Sequence, residues 1–344
     1  MRNKKAIQII YTGGTIGMMK DPKTGSLIPF DFSSVEESIP ELTKFGYDID
    51  SVQFDPAIDS SDIHPGFWKR IADTIEKNYD NYDGFVILHG TDTMAYSASA
   101  LSFMLENLSK PVIFTGSQLP IGTLRTDAKE NLITSIEIAA AYENGNPIVP
   151  EVCIYFESKL YRGNRTTKVN AEHFNAFQSA NYPYLAKAGV DLVYNREFVR
   201  YPKSIEPLIV HRAFSDQITI LKLFPGINRK YMDTILSIDN LKAVILETYG
   251  SGNAPSEDWF IKRIKKAVNR GIILLDVTQC NRGSVELGRY ETSRSLLEVG
   301  VVGGYDITTE AAATKLMILL AQNLEPTEIK MLLNKSLKGE ITLH

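Results

Sequence analysis

The sequence predicts an α/β protein of two domains, each built on a mostly parallel sheet with helices on its faces. Three observations predict it. Apolar runs of strand length alternate with longer amphipathic segments; this rhythm lapses once and then resumes; and 344 residues, 44% hydrophobic and 23% charged, are more than one core comfortably holds.

The first domain is expected over residues 1–190. Its strands are AIQII (6–10), FVIL (85–88), PVIFTG (111–116) and VCIYF (152–156). Between them, one helix begins after Asp62 as its N-cap, with Phe67, Ile71 and Ile75 at helical spacing, and others run over 92–108 and 127–142. Over 188–207 the apolar period fades around Pro202 and Pro207, so a linker is expected at 191–210. The second domain, 211–344, is a smaller α/β unit with strands ITILKLF (218–224), AVILE (243–247) and IILLDV (272–277), and helices near 228–237 and 256–269.

Composition narrows the partners. A formal net charge of -4 and a pI near 5.8 leave no excess of cations to neutralise a phosphate backbone or an anionic membrane, so neither nucleic acid nor a membrane is expected as a partner. The two cysteines, Cys153 and Cys280, are too few and too far apart for a disulfide framework and lack metal-ligand spacing, which fits a reducing, cytoplasmic compartment. The basic start MRNKK leads into an apolar stretch that ends at once in YTGG, a strand rather than an export signal. No window approaches the ~20 apolar residues a bilayer span requires.

Two motifs carry chemistry. Tyr11-Thr12-Gly13-Gly14-Thr15-Ile16-Gly17 follows the first strand, where a parallel sheet places its ligands. Paired glycines allow a sharp turn and expose N–H groups to a developing negative charge. The lysine and hydroxyl of a phosphate loop do not follow, and the dinucleotide spacing is absent. The second motif, His89-Gly90-Thr91-Asp92-Thr93-Met94, has the same setting after the strand at 85–88. Facing one another, the two loops offer hydroxyls and a carboxylate suited to acyl transfer from a small zwitterion. For Asp92 and Thr93 the simpler role is helix capping, and His89, at the end of a buried strand, is read as a structural group rather than a base or metal ligand.

Together these loops resemble the two signatures of the bacterial-type L-asparaginases, the TGGT turn and the HGTDT turn. DSSD (59–62), TGSQLP (115–120), LYRGNRTTK (160–168) and YGSGNAP (249–255) are similar to the cytosolic branch of that family. The resemblance spans nearly the whole chain. It implies an asparaginase/glutaminase-type fold with a larger N-terminal and a smaller C-terminal flavodoxin-like domain, and hydrolysis of asparagine to aspartate and ammonia without cofactor or metal. By the same resemblance Thr15 is the nucleophile of a β-aspartyl intermediate, Thr91 and Lys168 form the second half of the catalytic set, and Gly14, Ser60 and Ser61 line the substrate site. Asp92 receives the α-ammonium group, and the N–H groups of Thr15 and Thr91 receive the oxyanion. Asn253 completes a neighbouring subunit's site, which implies a homodimer or homotetramer.

Many relatives carry a tyrosine in the loop after the first signature. Here residues 19–30 read MKDPKTGSLIPF, a punctuated segment expected to act as a lid, with no tyrosine. The proton of Thr15 then has three candidate acceptors: Lys168 through Thr91, a water, or the substrate. Some cytosolic members hold a regulatory asparagine near the positions of Thr167 and Cys280; Glu247 at this place would repel a ligand carboxylate. A glutaminase of broader specificity remains an alternative, because one methylene is worth only ~1–3 kcal/mol. So do an amidase subunit acting on aminoacyl-tRNA and a non-catalytic amino-acid binder.

Overall fold

The computed structural model describes residues 4–20, 27–29, 39–204, 206–289 and 291–343. By its contacts the chain divides into two units, Met1–His211 and Arg212–His344.

The first unit is organised by eight strands: β1 (Ala6–Tyr11), β2 (Asp48–Gln53), β3 (Gly84–Leu88), β4 (Val112–Thr115), β5 (Val152–Phe156), β6 (Lys159–Arg162), β7 (Ala186–Ala188) and β8 (Leu192–Tyr194). They lie in the order β8-β7-β6-β5-β4-β3-β1-β2. The five from β2 to β5 pair in parallel, and β6, β7 and β8 extend the sheet antiparallel, with β8 at the edge. Burial on both faces explains the near-continuous apolar runs of β1, β3, β4 and β5, every residue of which is buried.

Helix α1 (Pro65–Asn78) buries Trp68, Ile71 and Ile75. It begins two residues later than expected: Asp62 belongs to a 3₁₀ turn, and the His64 ring accepts the Gly66 N–H as the N-cap. Pro65 at the first helical position sets this start. Helix α2 (Met94–Met104) is apolar almost all round and packs against α1, β4 and β5. Helix α3 (Ala128–Ala140) covers β1, β3, β4 and β5, placing Ala128, Leu132, Ile136 and Ala139 in one core with Ile7, Ile9, Val86, Leu88 and Ile113.

The segment expected as linker, 191–210, lies wholly within this unit. Leu192–Tyr194 is an edge strand, and Ile209–Val210 pairs with Leu105–Glu106. Two- and three-residue pairings leave no readable alternation, which is why the sequence here looked unstructured. The expected lid is described only at its base, where Met18–Lys20 and Leu27–Pro29 form an antiparallel pair; its remainder, 21–26 and 30, lies outside the described residues.

The second unit has four parallel strands in chain order: β9 (Ile218–Lys222), β10 (Ala243–Thr248), β11 (Ile273–Thr278) and β12 (Val302–Gly303). Helices α4 (Arg229–Leu236), α5 (Asp258–Asn269) and α6 (Glu291–Glu298) contribute to a core that joins Met232, Phe260, Ile264 and Leu296 to Val244, Leu246 and Leu274. Helix α7 (Thr309–Leu320) packs against β9, β10 and β11, and α8 (Pro326–Leu333) packs on α7. Lys315 on α7 is buried against Glu340 at 2.6 Å and donates to the Leu333 and Lys335 carbonyls, so the C-terminal segment is tied down by a charge whose donors are satisfied.

Candidate active site

The chain leaves β1, forms β2 on one side of it, and returns to the other side as β3. Strand order therefore reverses between β1 and β3, and in a parallel sheet such a reversal opens a crevice beyond the strands' carboxyl ends. The two loops that occupy it are the two motifs, residues 12–17 and 89–94.

Their approach is backbone against backbone. A Cβ on Gly14, where φ is +88°, would lie 2.4 Å from the Gly90 nitrogen, and one on Gly90 would lie 2.5 Å from Ser60 Oγ. No side chain fits at either position. The turn at 59–62 is thereby drawn into the cluster, and it is shaped locally: Asp59 Oδ1 accepts the Ser61 N–H at 2.8 Å and the Ser61 hydroxyl at 2.7 Å. Ser60 is buried and Ser61 exposed. Gly14, Thr15, Ser60, Thr91 and Asp92 thus sit on three loops held in contact by two glycines.

The hydroxyls divide by partner. Thr12 Oγ1 donates to the Leu88 carbonyl at 2.9 Å, and Thr93 Oγ1 donates to the Ser60 carbonyl at 2.7 Å, so both are used in holding loops together. Thr93 is the N-cap of α2, yet its side chain does not cap the helix. Thr91 Oγ1 accepts from Lys168 Nζ at 2.8 Å. Among the described residues, nothing engages the half-buried Thr15 hydroxyl through a side chain. Thr15 also opens a 3₁₀ turn, so its N–H has no acceptor within that turn.

Lys168 reaches the cluster from another direction. It lies on a two-residue strand, Thr167–Lys168, paired with Phe177–Gln178, directly after the 163–165 turn that packs against α2. One helix therefore follows directly on the loop that carries Thr91 and Asp92 and supports the turn that delivers Lys168. That turn is braced by Arg162, whose Nε lies 2.6 Å from Glu151 Oε2 with both side chains buried. Lys168 Nζ also donates to Asp92 Oδ1 at 2.7 Å; the lysine side chain is 16% exposed and the carboxylate 63%. Asp92 thus holds one ammonium while still open to a second cation from solvent.

His89 is fully buried, and burial lowers its pKa to about 4 although the Gly90 carbonyl bond opposes the shift. Trp68 Nε1–H donates to Ser97 Oγ at 2.9 Å, which leaves Ser97 to donate to His89 Nε2 at 2.9 Å and His89 Nδ1–H to donate to the Gly90 carbonyl at 2.7 Å. The ring is a neutral brace for Gly90. Tyr11 does a similar job, donating to the Gly17 carbonyl at 3.2 Å; burial pushes its phenol up to about 12, so it stays protonated. Sequence reasoning gave no role to Tyr11 or Asp59 and read Thr93 as a helix cap, whereas its hydroxyl ties the Ser60 carbonyl; each acts on a neighbour's backbone, and only their positions inside the motifs could have drawn attention to them.

Asn253 belongs to the second unit. It closes a tight turn after β10 through paired backbone bonds with Tyr249, 2.9 and 2.8 Å long. Next to this turn, Asp276 is fully buried: Oδ1 accepts from Thr248 Oγ1 at 2.7 Å, and a Cβ on Gly252 would lie 3.1 Å from Oδ2. Burial raises its pKa to about 7 against the opposing Thr248 bond. Glu247, next to Thr248 in β10, accepts from Thr309 Oγ1 at 2.7 Å. Cys153 is buried and Cys280 exposed, both as thiols. Among the described residues no group of His, Cys, Asp and Glu side chains is placed to hold a metal ion, and no helix is long and apolar enough to cross a membrane.

Comparison with known proteins adds an independent line. Residues 6–200 match the family "Asparaginase, N-terminal", and residues 217–333 match "Glutaminase/Asparaginase C-terminal domain". The chain is 43% identical to L-asparaginase 1 of Escherichia coli (strain K12) over 344 aligned residues, covering 98% of each protein. It is 40% identical to the 60 kDa lysophospholipase of Mus musculus, spanning 100% of this chain and 64% of that protein. Among solved structures, L-asparaginase I from Vibrio cholerae O1 biovar eltor superposes with a TM-score of 0.88 at 41% identity, over 99% of this chain and 100% of that one.

Proposed function

The chain belongs to the asparaginase family and is an amide hydrolase, and we propose that it hydrolyses L-asparagine through Thr15 as the nucleophile. The observation that carries this reading is the meeting of the two glycine-packed turns at the strand-order reversal, with Thr15 unengaged on one and Thr91 held by Lys168 on the other.

Thr15 Oγ attacks the side-chain amide carbon, and the carbonyl oxygen takes up the negative charge beside the N–H groups of Thr15 and Thr91. Collapse breaks the C–N bond and, with one proton delivered to nitrogen, releases ammonia and leaves a β-aspartyl ester. Water then adds to the ester carbon, the Thr15 oxygen leaves and regains its proton, and aspartate departs. A Lys168 ammonium donating to Thr91 Oγ1 favours the ionised form of that hydroxyl, or of a water bound to it. The first proton goes to Lys168 through Thr91, to a water, or to the substrate. Asp92 receives the α-ammonium group, and Ser60 and Ser61 the α-carboxylate.

Asn253 completes the site of a neighbouring copy in this reading, so the protein is a homodimer or homotetramer, and its resemblance to the cytosolic branch supports a cytoplasmic location. Two experiments test it. Purified protein releases ammonia from asparagine faster than from glutamine, and Thr15→Val stops turnover on both while aspartate still binds by calorimetry; undiminished turnover in that variant would remove the nucleophile assignment. Inactive Thr15→Val and Asn253→Ala proteins, unfolded together and refolded as a mixture, regain activity if sites are shared. A mixture as inactive as its parents argues that each subunit's site is self-contained.

A further inference from the structure

The second unit carries a charge asymmetry that amide hydrolysis does not use. A groove of about 840 Å³ between α4 and α5 is lined by six cationic side chains: Arg229, Lys230, Lys262, Arg263, Lys266 and Arg270. Asp233 is the carboxylate among its lining residues. Over the whole chain, 41 acidic residues outnumber 37 basic ones, so this groove reverses the average.

The cations differ in how they are held. Arg263 lies against Asp233, with Nε 2.8 Å from Oδ1, and Arg270 donates to the Leu236 carbonyl at 2.6 Å, so these two guanidinium groups are pinned. Lys262 pairs with Asp258, but the two side chains are 75% and 92% exposed and the pair is weak. Lys230 and Lys266 make no ion pair among the described residues. The ordinary account of a basic helix face is that cations near a C-terminus complement the helix dipole, which covers Lys266 and Arg270. It fails for Arg229 and Lys230, which open α4, where cations oppose the dipole and no acid offsets them.

The volume lies in the range of small-molecule sites, ~300–1,000 Å³. Arginine forks and mobile lysine ammonium groups are the side chains that recognise phosphate. Two of the lining guanidinium groups, Arg229 and Arg263, also lie over the Trp259 ring at 5.9 and 5.7 Å, so this indole neighbours the charge without lining the groove. We propose that the groove between α4 and α5 binds a small polyphosphorylated anion, the size of inorganic tripolyphosphate or a nucleoside triphosphate.

The test titrates the full-length protein with tripolyphosphate, metal-free ATP, orthophosphate and a single-stranded DNA oligomer. Binding is followed by calorimetry and by the fluorescence of Trp259, the other tryptophan, Trp68, being buried. Tripolyphosphate is expected to bind at least about ten-fold more tightly than orthophosphate. Lys230→Glu with Lys266→Glu should weaken it by about ten-fold or more, while the same charge change at exposed Lys44 and Lys203 leaves it within about two-fold. Unchanged ammonia release certifies the fold of each variant, and Lys266→Gln is read the same way if the double reversal misfolds. Tighter ATP binding with tryptophan quenching assigns a nucleotide, and equal binding of both assigns the phosphate chain. Orthophosphate binding as tightly as tripolyphosphate, equal losses in both double variants, or tightest binding of DNA would each overturn the proposal.

Discussion

Thr15 and Thr91 stand in nearly the same local sequence, each following a glycine at the end of a buried parallel strand, yet the structure treats them oppositely. Thr15 begins a 3₁₀ turn with its hydroxyl unengaged among the described residues; Thr91 is tethered by a lysine that arrives from 77 positions along the chain. The difference teaches that a motif sets where a hydroxyl sits, while its partner sets what the hydroxyl can do. A nucleophile must keep its lone pair available, whereas a group that polarises or relays is held in place.

The contrast is broken most severely at its unengaged end. Thr15→Val should lower turnover by roughly 10⁴- to 10⁶-fold, as loss of a nucleophile does elsewhere. Next comes the tether: Lys168→Met leaves Thr91 in place but unpolarised, and kcat is expected to fall by about 10²- to 10⁴-fold with aspartate affinity changed far less. Steady-state kinetics beside aspartate calorimetry measures both, and a Lys168→Met effect confined to KM would move this lysine from proton handling to substrate binding. Gly90→Ala attacks the approach of the two turns rather than either hydroxyl. Its methyl group meets Ser60 Oγ at 2.5 Å, so a destabilisation of about 1–3 kcal/mol is expected, with loss of kcat/KM; full activity in this variant would mean that the turns tolerate separation.

The smallest effect is expected in the second unit, at Asp276, whose burial contrasts with the openness of Asp92. A carboxyl whose pKa is raised on folding contributes fully below its unfolded value of 3.8, and that contribution fades as pH rises through about 7. Melting temperature should therefore drop by a few degrees between pH 5 and 8 in the wild type and less in Asp276→Asn, which keeps the Thr248 bond. Parallel pH profiles for the two proteins would show that Asp276 does not ionise in this range.

How far the sequence could be read depended on segment length. The apolar strands at 6–10, 85–88, 111–116, 152–156, 218–224, 243–247 and 272–277 appear within a residue or two of their expected ends; in all but the partly exposed 218–224, burial on both faces writes a continuous apolar run. The edge strands Asp48–Gln53 and Leu192–Tyr194 were not legible, since an edge strand needs no apolar signature, and Lys159–Arg162 and Ala186–Ala188, though inside the sheet, are too short to show an alternation. At the candidate site, both motif threonines and Asp92 could be picked out locally. Lys168 looked like any solvated lysine without the family resemblance.

By itself, the sequence determined which residue types stand at the ends of β1 and β3, because glycine pairs, apolar runs and motif spacing are local and short-ranged. Tertiary structure decided which of the hydroxyls became ties, which met Lys168, and which was left without a side-chain partner among the described residues. Those outcomes depend on strand order and on backbones approaching to contact distance between residues far apart in the chain, and no local pattern encodes such distances.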